Sequence, residues 1–130
     1  MKNPRHIYVL LAALLLLVMA VGCENDSQVL QVNDIASDPG AFSGPLTMVG
    51  IAYGYSRNDD TIVGVMDTKE LQCTTPNCEK LLIPVKTKGD RPAIGEEIRI
   101  TGSFTREPQG YLFHAEKIKV IGKHQLGGQG

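Results

Sequence analysis

Glu97-Ile98-Arg99-Ile100-Thr101-Gly102-Ser103-Phe104-Thr105 alternates cleanly. Ile98, Ile100 and Gly102 fall on one side, Arg99, Thr101 and Ser103 on the other. Successive side chains point to opposite faces of a strand, so this stretch reads as a strand with one face on a core. Four more runs read the same way. Leu46–Tyr53 sets Leu46, Met48, Gly50 and Ala52 against Thr47, Val49, Ile51 and Tyr53. Thr61–Asp67 carries Ile62, Val63, Val65 and Met66, Leu81–Lys86 is a third run, and Tyr111–Ile121 alternates imperfectly. Arg57-Asn58-Asp59-Asp60 and Glu107-Pro108-Gln109-Gly110 are turns; 68–80 is a polar loop and Lys88–Glu96 a Gly/Pro-rich connection. The expected fold class is mostly β, a small five-stranded antiparallel barrel over residues 46–121. Closure would remove the sheet edges, and Gly50, Gly54, Gly64 and Gly102 fit the coiling and bulges that a small barrel demands. Ahead of it, Val29–Val32 reads as a short strand and 33–38 as at most one or two helical turns, stopped by Pro39-Gly40. The tail Gly122–Gly130 has little that can pack and reads as disordered.

The N-terminus is an address. Lys2, Arg5 and His6 precede an uncharged apolar run from Ile7 to Val21, the layout of a secretory signal. The run ends in Ala20-Val21-Gly22-Cys23 and here resembles a bacterial lipoprotein precursor, with Ala20 where that family prefers Leu. The resemblance implies removal of the signal peptide 1–22 and acylation of Cys23 (lipidation, palmitate among the chains). It also implies an extracytoplasmic location on a lipid anchor in a bacterial cell membrane. An uncleaved signal-anchor, with Cys23 only a small residue, is the alternative. The expected organisation is a signal peptide at 1–22, a lipidated tether and short N-terminal segment at 23–45, the barrel at 46–121 and the tail at 122–130.

Cys73 and Cys78 remain after Cys23. An even pair in an exported chain reads first as a disulfide, and the four residues between them, with Pro76 and Asn77, can turn the chain back. A metal or haem contact and a redox-active pair stay open as rivals. The spacing is not Cys-x-x-Cys-His, and zinc would find only His114 and His124 as further partners in the mature chain.

Residues 46–121 resemble an OB-fold domain, and the likeness extends to the periplasmic haem chaperone of cytochrome c maturation. It is carried by Leu82-Ile83-Pro84-Val85-Lys86-Thr87-Lys88-Gly89-Asp90-Arg91-Pro92, by Gly95-Glu96-Glu97-Ile98-Arg99-Ile100-Thr101-Gly102 and by Phe113-His114-Ala115-Glu116-Lys117-Ile118. In that family a His after the last strand attaches haem. Its place falls at Gly122; His124 lies two residues on, followed by Gln125, and Gly128 stands where the family has Tyr. The haem role therefore passes to no matched residue, and the Cys73–Cys78 pair is foreign to that family.

No Gly-x-Ser-x-Gly, His-Glu-x-x-His or P-loop occurs, and Asp59-Asp60 and Glu96-Glu97 read as solvated neighbours rather than an acid–base pair. The chain is expected not to be an enzyme. Without Lys2 and Arg5 the 13 basic residues become 11 against 14 acidic, a net charge of −3, and the whole sequence has only seven aromatic residues. Both counts speak against a nucleic-acid partner. The leading expectation is a membrane-anchored binding module that contacts a protein or envelope partner through 68–80 and Tyr53–Asp60, with no cofactor. The alternative is haem or copper handling, with His114, His124, Met66 and the thiols as candidate ligands.

Overall fold

The alternating runs become strands. A computed structural model describes residues 4–17, 28–73 and 78–126. Its helices are α1 (Pro4–Leu17) and α2 (Val32–Ala36). Its strands are β1 (Val29–Gln31), β2 (Leu46–Tyr55), β3 (Ile62–Met66), β4 (Leu82–Lys86), β5 (Glu96–Glu107) and β6 (Gly110–Lys123). Cys23 lies outside the described residues. Among the described residues no helix is long and apolar enough to cross a membrane.

The long strand β2 serves two neighbours in turn. Leu46–Ile51 pairs antiparallel with β5, and Ile51–Tyr55 pairs antiparallel with β3. β3 pairs with β4, and β5 with β6, each antiparallel. A short parallel contact, Val85 with Phe113 and Lys86 with His114, joins β4 to β6. The strands thus run β2-β3-β4-β6-β5 and back to β2, a small OB-fold-like barrel closed most thinly between β4 and β6. β1 adds to the outside as a sixth strand, parallel to Thr47–Val49.

The inward residues are those of the alternating pattern: Met48, Ala52, Val63, Val65, Ile83, Val85, Ile98, Ile100, Phe113 and Ala115. α2 is too short to hold by itself. It persists because Val32 and Ile35 are fully buried against this core, each contributing about 1.5–3 kcal/mol. The buried carboxylate of Asp67 ties α2 to the end of β3: it accepts from Asn33 N at 2.8 Å and from Lys69 N at 2.9 Å, capping the 3-10 turn Thr68–Gln72. Its buried charge is therefore hydrogen-bonded. Gly102 is required by close approach, since a Cβ there would stand 2.0 Å from the carbonyl oxygen of His114 and 3.0 Å from the Phe113 ring.

The tail departs from its composition. β6 runs on through Gly122 and Lys123, paired with Glu97 and Glu96, and His124 N donates to Gly95 O at 2.8 Å. Backbone ladder bonds need no side chain to pack, so the long hairpin carries order past Ile121. Residues 127–130 lie outside the described residues.

Candidate functional site

A cleft of about 580 Å³ opens on the outer face of the barrel, beside the thin β4–β6 seam. Its floor comes from β2, β3 and β4. Gly54 pairs with Gly64, and Gly64 with Pro84, so backbone rather than side chain lies at its centre. Ala52 pairs with Val65 and Gly54 with Gly64, which leaves Tyr53 as the extra residue of a β-bulge. A bulge re-aims side chains, and here Tyr53 and Tyr55 both reach the cleft. Leu82 and Ile62 add apolar floor. The opposite wall is the β5–β6 turn: Glu107, Gln109, Gly110, Tyr111 and Leu112.

The tyrosines are held. Tyr55 Oη donates to Pro92 O at 2.6 Å, and the Arg91 guanidinium lies over its ring, 4.9 Å from the centroid. The Lys80 ammonium lies 4.7 Å from the Tyr53 centroid. The Tyr111 ring packs edge-on against Phe104, centroids 6.3 Å apart. Cations over tyrosine faces are attracted by the ring quadrupole. They also bring positive charge to the rim of an aromatic cleft. On that rim Lys86 pairs with Asp59 at 2.6 Å and Arg91 with Asp60 at 3.2 Å. Hydrogen bonds from Lys86 and Thr61 hold the Asp59 carboxyl below its ordinary value, at about 2.

Of the segment Tyr53–Asp60, Tyr53–Ser56 lines the cleft, while Asp59 and Asp60 fasten its rim. From 68–80, Lys80 reaches Tyr53. Cys73 and Cys78 are joined as a disulfide, Cα atoms 6.3 Å apart, two residues before Lys80. The turn Glu107–Leu112 was not expected in the site. The signal lay in the fold itself, because loops at that end of an OB-fold frame its binding face.

The haem or copper ligands do not converge. Met66 is buried, and Cys73 and Cys78 are bonded to each other. His114 contacts Thr105 near the end of β5, whereas His124 Nε2 donates to Glu97 Oε2 at 2.8 Å near its start. Among the described residues no group of three or more His, Cys, Asp or Glu is placed to hold a metal.

No protein-family model and no curated protein matches the chain. Solved structures do. The Schizosaccharomyces pombe (S. pombe) Stn1–Ten1 complex aligns at 14% identity over 75% of this chain and 79% of that one, TM-score 0.47. A replication protein A heterotrimer bound to single-stranded DNA aligns at 14% identity over 65% of this chain and 62% of that one, TM-score 0.40. Likenesses at this identity speak to the fold.

Three expectations are corrected. The two structures named above are OB-fold proteins and not the haem chaperone, and that kinship is withdrawn. The function as a membrane-anchored envelope module, with haem or copper as its alternative, goes with it. The exclusion of nucleic acid fails as well. Its physical error is averaging: residues 46–121 hold ten basic and ten acidic residues, and the surplus acids Glu24, Asp26, Asp34 and Asp38 all precede the barrel.

Proposed function

We propose that this protein is a non-enzymatic binding module that takes a short stretch of single-stranded nucleic acid in the cleft between β2–β4 and the β5–β6 turn. The observation that carries the reading is the cleft itself: a glycine floor between three tyrosines, with cations at the rim. Bases lie flat on aromatic faces regardless of sequence, each stack contributing about 1–3 kcal/mol, and a strand's phosphates follow nearby positive charge. Tyr53 and Tyr111 are the stacking residues in this reading, and Lys80 and Arg91 face the phosphates. One of the aligned structures is described as bound to single-stranded DNA; at its low similarity the reading rests on the cleft and not on that likeness.

The test is fluorescence anisotropy of a labelled thymidine dodecamer titrated with the full chain. Two stacked bases and a few phosphate contacts predict a Kd of about 10⁻⁵–10⁻³ M. Salt should weaken binding gently, with a log–log slope of about −1.4 for two neutralised phosphates. Tyr53→Ala should lower affinity. The absence of saturable binding at millimolar protein refutes the reading.

A further inference from the structure

We infer that Glu107 sets a base preference in this cleft, accepting hydrogen bonds from the adjacent ring and amino N–H groups of guanine. The inference rests on the single-stranded nucleic-acid reading above. Among the described residues that line the cleft, Glu107 carries the only charge. A carboxylate there repels phosphate, so a base edge and not the backbone faces it.

Its position is fixed from both strands of the hairpin. The Thr105 hydroxyl donates to Glu107 Oε1 at 3.1 Å. That hydroxyl has a single proton, so its 2.8 Å contact with His114 Nε2 runs the other way, the imidazole donating. A relay from His114 through Thr105 therefore holds Oε1. Oε2 has no partner among the described residues. What remains is a set of carboxylate lone pairs at the cleft wall, open to the edge of a bound base.

Guanine alone among the four DNA bases offers two adjacent donors on its Watson–Crick edge, the ring N1–H and the 2-amino group. These match two carboxylate oxygens. Thymine sets its N3–H between two carbonyls, and adenine puts an acceptor nitrogen beside its amino group, so both bring lone pairs against the carboxylate. Hypoxanthine keeps the ring N–H of guanine and lacks the amino group.

The probes are labelled thymidine nonamers whose central base is guanine, hypoxanthine, adenine or thymine, titrated with the full chain. Guanine should bind about tenfold tighter than thymine, with hypoxanthine between them. Glu107→Gln keeps the side chain's shape at an exposed turn and should bring the guanine-to-thymine ratio to about one. Thr105→Val leaves the carboxylate but removes its hydrogen bond, and should reduce that ratio in part, as a positioning role requires. Equal affinity for all four bases, or a preference that survives Glu107→Gln in protein shown by circular dichroism to be folded, overturns the inference and leaves the nucleic-acid reading in place. No binding of any nonamer overturns both.

Discussion

Gly54 offers a direct probe of the cleft, because the barrel has no use for an empty space there. A Cβ built on Gly54 meets nothing within 4 Å, and its φ lies outside the left-handed region. Gly54→Val therefore adds a β-branched side chain in a strand, with a Cβ that meets no neighbour. Replacing a strand glycine in this way recovers about 0.5–1 kcal/mol of backbone entropy. For a domain of this size that raises Tm by about 2–8 °C. The same side chain stands on the floor where a base would lie. Losing one stacked base costs about 1–3 kcal/mol, which weakens oligonucleotide binding about 5–150-fold. Gly102→Ala is the contrast. Its Cβ would lie 2.0 Å from the His114 carbonyl oxygen, so β5 and β6 must separate. The expected cost is about 3 kcal/mol or more, typical of severe overpacking. Thermal melts by circular dichroism and anisotropy titrations, run side by side, separate the two effects. A Gly54→Val protein that melts no lower than the parent and binds oligonucleotide equally well refutes the cleft as the binding site. A Gly54→Val protein that melts several degrees lower refutes the description of that floor as open.

Three further outcomes follow from particular groups. Asp59 titrates at about 2 in the folded chain against an ordinary 3.8, so its contribution to stability is present above the ordinary value and fades as pH falls through 3.8 towards 2. The gap in urea stability between the parent and Asp59→Asn should therefore close between pH 5 and pH 2; a gap that widens on acidification contradicts the assignment. Opening the Cys73–Cys78 ring in the Cys73→Ser/Cys78→Ser double variant releases a loop of only a few residues. It should cost about 2 kcal/mol, leave the strand signal intact, and free Lys80 from Tyr53; affinity for oligonucleotide equal to the parent's would separate the loop from the site. The segment Lys2–Gly22 and Cys23 support a proposed export to the extracytoplasmic side with acylation at Cys23, which intact mass spectrometry of the natively expressed chain checks: an unmodified, full-length mass is the contrary result.

The strands were legible where they carry the period of two of a half-buried sheet, most cleanly in β5 and imperfectly in β6. Ile98 and Ile100 are both fully buried in the structure, as their alternation requires. The ends were less so. β2 runs on to Tyr55 and β6 to Lys123 because a paired neighbour supplies hydrogen bonds whatever the side chains are. The site was legible in part. Tyr53 could be placed near a loop, but its turn towards the cleft depends on a bulge between Ala52 and Gly54, which is a property of pairing with β3 and not of the β2 sequence. The opposing wall from Glu107 to Leu112 comes from a turn more than fifty residues later in the chain, brought across by the return of β6 to β4.

The charge argument failed for a physical reason that extends beyond this chain. A net charge speaks for the field at long range, but a ligand in a cleft sees the groups within about one screening length, roughly 8–10 Å at ordinary ionic strength. Asp34 enters the sum without lining the cleft. Lys86 and Arg91 are partly neutralised by Asp59 and Asp60 in the same sum, yet Arg91 still faces the Tyr55 ring and Lys80 the Tyr53 ring. Few aromatic residues were equally weak grounds for exclusion, because stacking needs two or three rings in one place and not many in the chain. Tyr53, Tyr55 and Tyr111 are three of the four tyrosines present, and the barrel gathers all three into one cleft. Composition counts residues; the fold decides which of them share a face. That is why removing the Tyr53 ring should cost more affinity than reversing an acid such as Asp34, which lies outside the cleft.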